Sequence, residues 1–300
     1  MKQYKLLLSI GIFFSIFTIV LYLTNHFFYE DSLGIADNFP EDLSETTIIY
    51  LLPGGTVPLK VSFQTDRGLF YFVQKNAGRE AYPPTYHVQS EYWANIAYKI
   101  LGVPTPETQL YQRGKKVPLG SKIIIHEDTT LLNQFIQGHP KGATLNLFWL
   151  QASEEEKEIV KKRLQKHFVV DCLLGAWDSL GYPVGENIVV TPEAIPVRVD
   201  NGSALSHRAL GGLKTEKQWN RYVTEIDILR WRKNTFFFHG INEKEIVRQI
   251  DEIIKRKEKL LDAMPDCYRE ILSARIDELQ IRKISFEKKN SSEKRAFVNP

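Results

Sequence analysis

The stretch that decides the fold is VVDCLLGAWDSLGYPVGENIVVTPEAIPVRVDNGSAL, Val169 to Leu205. Its first residues close an apolar helix, and Gly181, Pro183 and Gly185 turn the chain. Two short β-branched runs follow, Ile188 to Val190 and Val197 to Val199, split by a turn bracketed by Pro192 and Pro196. Three polar residues fall at the loop and strand ends that this arrangement leaves exposed: Asp178, Asn187 and Asp200. A loop carboxylate can accept a proton from a hydroxyl group. An amide oxygen and a second carboxylate are the hard ligands that Mg²⁺ takes. The competing reading is a hairpin whose acidic residues are ordinary turn formers.

Upstream, Ser153 with Glu156 three residues on forms a capping box. Apolar residues at Val160, Leu164, Phe168, Cys172 and Leu173 then carry a helix to Gly175, which delivers the chain to Asp178. Asp171 lies on that helix and is an alternative base, although an acid inside a helix is more often structural. Nearer the front, strands are expected at Thr47 to Leu52, Leu59 to Phe63 and Leu69 to Gln74, with turns at Pro53-Gly54-Gly55 and Asp66-Arg67-Gly68. Gly54 and Gly55 would let backbone amides approach a phosphate, or make a plain tight hairpin. Lys75 ends the third strand, where its ammonium would reach a phosphate or solvent.

Tyr86 to Leu101 has helical spacing, with Trp93, Ile96, Ala97, Ile100 and Leu101 on one stripe, and Gly102 and Pro104 stop it. Glu91 in its first turns is placed to pair with Lys75, yet it lies roughly opposite the apolar stripe, so a solvated side chain stays open and Glu80 is a competitor. Strands Thr108 to Gln112 and Leu119 to Ile125 lead to a hinge expected at Ile125-His126-Glu127-Asp128. Beyond Leu205 come a Gly-rich loop, Ala209 to Lys214, and a helix expected over Thr215 to Trp231. Asn242 with Glu245 caps a further helix reaching about Met264, and a last helix is expected over Tyr268 to Ile284.

An Asp, then an Asn, then Asp-x-Gly after a hairpin resembles the kinase arrangement of base and metal ligands. The spacing departs from protein kinases, since Asn187 follows Asp178 by nine positions and no His-Arg precedes it. Trp177-Asp178, Gly181, Asn187-Ile188-Val189 and Asp200-Asn201-Gly202-Ser203-Ala204-Leu205 instead resemble the atypical HipA and phosphatidylinositol 3-/4-kinase-like group, in a bacterial and phage branch. Gly54-Gly55, Lys75, Glu91 and Leu101-Gly102-Val103-Pro104-Thr105-Pro106-Glu107 follow the order of that group. The resemblance covers roughly residues 48 to 235. It implies an α+β, two-lobed protein-kinase-like fold with a β-rich N-lobe and a helical C-lobe. It further implies ATP and Mg as cofactors, with transfer of the γ-phosphoryl group to a hydroxyl-bearing acceptor of unspecified kind. Asp178 would then be the base, Asn187 and Asp200 the metal ligands, Lys75 the phosphate contact and Glu91 its anchor. Departures around Asp178, with Ala176 before Trp177 and no following His, keep a membrane-anchored pseudokinase or nucleotide-binding interaction domain as the alternative.

Composition is that of a globular protein, 43% hydrophobic and 25% charged, and a net charge of +3 gives no argument for nucleic acid. Cys172 and Cys267 have no metal-site spacing. Leu6 to Leu23 is eighteen residues without a charge, enough for a transmembrane helix; a cleaved signal peptide is the rival reading, against which Thr24 to Tyr29 offers no small-x-small site. Lys2 and Lys5 precede it and acids follow, so the N-terminus is expected in the cytoplasm and the main domain across the membrane. The expected division is a stub and anchor over 1–29, a linker over 30–45, an N-lobe over 46–128, a C-lobe over 129–285 and a disordered tail over 286–300.

Overall fold

A computed structural model of the chain describes residues 38–52, 57–76, 85–118, 121, 128–177, 185–208, 212–230 and 237–298. The expected membrane anchor, the Gly54-Gly55 turn and the strand over Leu119 to Ile125 fall outside or largely outside these residues. Among the described residues no helix is long and apolar enough to cross a membrane.

The front of the chain is an antiparallel sheet. Strands β1 (Thr47–Leu51), β2 (Leu59–Thr65), β3 (Gly68–Asn76), β4 (Thr108–Gln112), β5 (Lys115–Lys116) and β6 (Thr129–Gln134) lie in the order β1-β2-β3-β6-β4-β5. The β2–β3 hairpin closes where the sequence expects it, with Thr65 opposite Gly68 at φ 135° and the Thr65 hydroxyl accepting from the Arg67 amide. Strand alternation gives the sheet two different faces. Val61, Phe72, Tyr111 and Leu132 point to one, where Phe39 completes a small core. Lys75 and Leu131 are cross-strand partners on the other, beneath helix α1 (Thr85–Ile100).

Two boundaries differ from the sequence expectation. Residues 38–45 do not form a linker: Phe39 is buried, the Tyr111 hydroxyl donates to the Pro40 carbonyl at 2.7 Å, and Asp42 caps a 3-10 turn over Leu43–Glu45. The expected hinge is also misplaced. Strand β6 begins at Thr129 and lies between β3 and β4, so the sheet ends at Gln134 rather than at 128. Asp128 instead meets Arg113 beside the β4–β5 turn. The strand TTLLNQ buries polar residues against α1, and this hides its pattern.

The rest is helical around a larger core. Helices α2 (Leu145–Gln151), α3 (Glu154–Gln165) and α4 (Phe168–Leu173) lead to the hairpin of β7 (Ile188–Val190) and β8 (Pro196–Arg198). Then come α5 (Glu225–Leu229), α6 (Glu243–Lys255), α7 (Lys257–Ala263) and α8 (Asp266–Val298). The capping box at Ser153 is present as expected. The helix expected from Ser153 to Gly175 breaks at Lys166-His167, and the one from Asn242 breaks at Arg256. Among the described residues of the helix expected over Thr215 to Trp231, only α5 is helical and most of the rest is turns; Trp219 packs over the Arg275 guanidinium at 4.6 Å. The tail expected to be disordered from residue 286 continues α8 to Val298. Within it Lys283 lies near Glu287 one turn on.

Candidate functional site

Three elements meet at Lys75. Strand β3 carries it, with a side chain only 5% exposed and its Nζ at 2.8 and 2.7 Å from the two Glu91 oxygens. Glu91 stands on α1 and is fully buried, and Asn133 on β6 donates to it at 2.8 Å. The same Nζ donates to Asp200 Oδ1 at 2.8 Å, from a residue 125 positions away. Lys75, Glu91 and Asp200 are therefore brought together as the sequence reading expects, and the solvated alternative for Glu91 is removed.

The electrostatics follow from this geometry. Burial opposes charge on Lys75, but the carboxylates of Asp200 and Glu91 outweigh it and hold the ammonium above the usual lysine range. Desolvation pushes Asp200 up, while Lys75 and then His87 pull harder and keep its carboxyl below the usual range. Both partners are thus charged at neutral pH.

The turn bearing Asp200 is built into α1. Asp200 has φ 52° and ψ 57°, left-handed values that an Asp tolerates better than most side chains, and it leads into a 3-10 turn over Asn201–Ser203. Asn201 donates to Asn95 Oδ1 at 2.7 Å and to the Arg198 carbonyl at 3.0 Å. Ser90 donates to the Ala204 carbonyl at 2.6 Å. The Pro104-Thr105-Pro106 run lies along β8, whose Arg198 amide bonds the Pro104 carbonyl at 2.9 Å.

Asn187 ends the turn before β7, and its carbonyl accepts from the Val199 amide at 2.9 Å, beside Asp200 in sequence. Asp178 lies outside the described residues, as do Gly54 and Gly55. The chain is described as far as Trp177. There Gly175 takes φ 59°, Lys214 donates to the carbonyls of Gly175 and Leu205 at 2.6 and 2.7 Å, and the Leu205 amide bonds the Leu174 carbonyl at 2.7 Å. The approach to Asp178 is thereby tied to the end of the Asp-Asn-Gly-Ser-Ala-Leu segment. Asp171 is not available as a base. It is 1% exposed, takes two bonds from Arg198 at 3.1 and 2.7 Å, and accepts from the Tyr98 hydroxyl at 2.9 Å.

The sequence reading missed His87. Its Nε2 lies 3.5 Å from Asp200 Oδ1 and 4.0 Å from Glu91 Oε2. The signal was present, since His87 and Glu91 are four apart on one helix face. Ligand atoms of His87, Glu91 and Asp200 all lie within 4.8 Å of one another. The Lys75 ammonium already bonds both carboxylates of this trio, so it fills the place a cation would take between them.

No family model matches this chain, and no curated protein matches it. Among solved structures, the chain is similar to a crystal structure of a Helicobacter pylori proinflammatory kinase, CtkA. The two share 16% identity over 80% of this chain and 96% of that one, with a TM-score of 0.48.

Proposed function

We propose that the chain is an ATP- and Mg²⁺-dependent phosphotransferase acting on a hydroxyl group. The observation that carries this reading is the ammonium of Lys75 held between Glu91 and Asp200, 2.7–2.8 Å from each. A phosphate-binding lysine needs a buried anion to fix it, and a metal-binding carboxylate needs to face the same phosphates.

In this reading Lys75, fixed by Glu91, carries the charge of the α- and β-phosphates. Asp200 and Asn187 supply a carboxylate and an amide oxygen to Mg²⁺, a donor set that suits a hard ion. A metal held there would supply positive charge against the phosphates. Asp178 orients the acceptor and takes its proton as the acceptor oxygen bonds to the γ-phosphorus and the bond to the departing ADP breaks. Gly54 and Gly55 would let backbone amides approach the phosphates.

The test is thermal unfolding of the purified chain with and without millimolar Mg-ATP, followed by assay of phosphate transfer. A ligand that binds only the native state raises the midpoint by mass action. Asp200→Ala should lose the Mg²⁺-dependent part of the rise and still fold. Asp178→Asn should keep the rise and lose transfer, by about 10²-fold or more. A parent protein indifferent to Mg-ATP sinks the proposal, and transfer undiminished in Asp178→Asn removes that residue from it.

A further inference from the structure

His87 is a buried imidazole without an evident purpose in the arrangement just described. The residue is 7% exposed, and neither ring nitrogen has a hydrogen-bond partner. Burying polar ring atoms without a protein partner is unfavourable, so a packing role alone would be better met by an apolar side chain. The ring is nonetheless held in place. A Cβ added at Gly202 would collide with His87 Cε1 and Nδ1, so only glycine lets the imidazole rest on this turn. Nε2 faces Asp200 Oδ1 at 3.5 Å, just beyond a good hydrogen bond, and Lys75 holds that same oxygen at 2.8 Å.

We infer that His87 is the positioning donor for Asp200 in the metal-loaded site. This rests on the phosphotransferase reading and adds a residue to it. In the structure described, one oxygen of Asp200 is shared between an ammonium and an imidazole, and the ammonium has the closer place. Once nucleotide phosphates attract Lys75 and a cation engages Asp200, the carboxylate needs a replacement donor to fix its orientation. Metal-ligating carboxylates are held by such outer partners, and losing one weakens metal binding about 10–100-fold. His87, with a ring N–H at Nε2, is the described side chain that can serve, because Glu91 is an acceptor and stays engaged by Lys75 and Asn133. His87 does not touch substrate or metal; it acts through Asp200.

The experiment titrates Mn²⁺ into the full chain in detergent, with a non-hydrolysable ATP analogue present, and reads free Mn²⁺ by electron paramagnetic resonance. Parent, His87→Gln and His87→Asn are compared, because a glutamine amide reaches the Nε2 position and an asparagine amide only the Nδ1 position. His87→Asn should weaken Mn²⁺ binding about 10–100-fold and His87→Gln by no more than about threefold. Analogue affinity without metal should be equal in all three. Equal Mn²⁺ affinity in the three proteins, or equal losses in the two variants, overturns the role of His87 and leaves the phosphotransferase reading standing. A parent that binds neither analogue nor Mn²⁺ overturns that reading and this one together. Should His87→Asn fail to fold, the ring ¹⁵N resonances of His87 in the parent decide. A shift to the Nε2–H form with a stronger hydrogen bond on adding MgCl₂ and analogue supports the role, and unchanged resonances reject it.

Discussion

Gly202 shows how narrowly the site is drawn at single residues. The Asp-x-Gly spacing was legible, but the reason for the glycine was not, because the obstacle is the ring of His87 from a helix more than a hundred positions away. Gly202→Ala should force either the imidazole or the turn to move, and overpacking of this kind costs about 2 kcal/mol. A urea midpoint unchanged from the parent would show that the turn yields freely. Glu91 illustrates the opposite difficulty. Helical periodicity finds an apolar stripe and assigns the remaining face to water. Here that face is covered by a polar part of the sheet, where Lys75 and Asn133 wait for the carboxylate. Such a partnership joins residues from separate strands, and no local pattern in the helix announces it.

At the scale of elements, the hairpin of β7 and β8 and the strands β2 to β4 were readable because turn residues and alternation mark them. The helix breaks were not readable, since neither contains Gly or Pro. At the first, the amide of Val169 is taken up by the Gln249 side chain of α6 at 2.9 Å, a cap supplied from across the fold. At the second, Arg256 leaves its own helix path and donates to the Ile100 carbonyl, placing a cation at the end of α1. Helix α4 and strand β8 are joined by Asp171 and Arg198, both essentially without exposure. Removing one partner strands the other charge, so Asp171→Ala should lose about 3–5 kcal/mol. Asp171→Leu combined with Arg198→Met should lose much less than the single change. Denaturant midpoints of the three variants check this, and a double variant as unstable as Asp171→Ala would contradict it.

Over the whole molecule, two histidines with depressed pKa values contribute to the response to acid, beside lowered carboxyl groups such as Asp42 and Glu156. His207 is 4% exposed, and burial, then Lys214 and His87, hold its imidazole down to about 4 from an ordinary 6.5. The half-buried His167 is shifted the same way, by desolvation and then by Arg198. The unfolded chain takes up these protons near pH 6.5 and the folded chain does not, so stability is full above that pH and falls below it. For His207 the loss is on the order of 3 kcal/mol once pH has passed through about 4. Urea unfolding of parent and His207→Gln between about pH 7.5 and about pH 4.5 reads the effect; equal pH slopes in the two proteins would refute the assignment.

The fastening of α1 to the Asp200 turn has a pharmacological consequence. A compound seeking room behind Lys75 would have to lever the helix outward. That movement breaks Lys75 from Glu91, Ser90 from the Ala204 carbonyl and Asn95 from Asn201 at the same time. At about 1 kcal/mol or more for each broken bond, such a ligand would spend much of its affinity on the wedge. Selective ligands for this fold should enter from the open, half-exposed side of Asp200 instead.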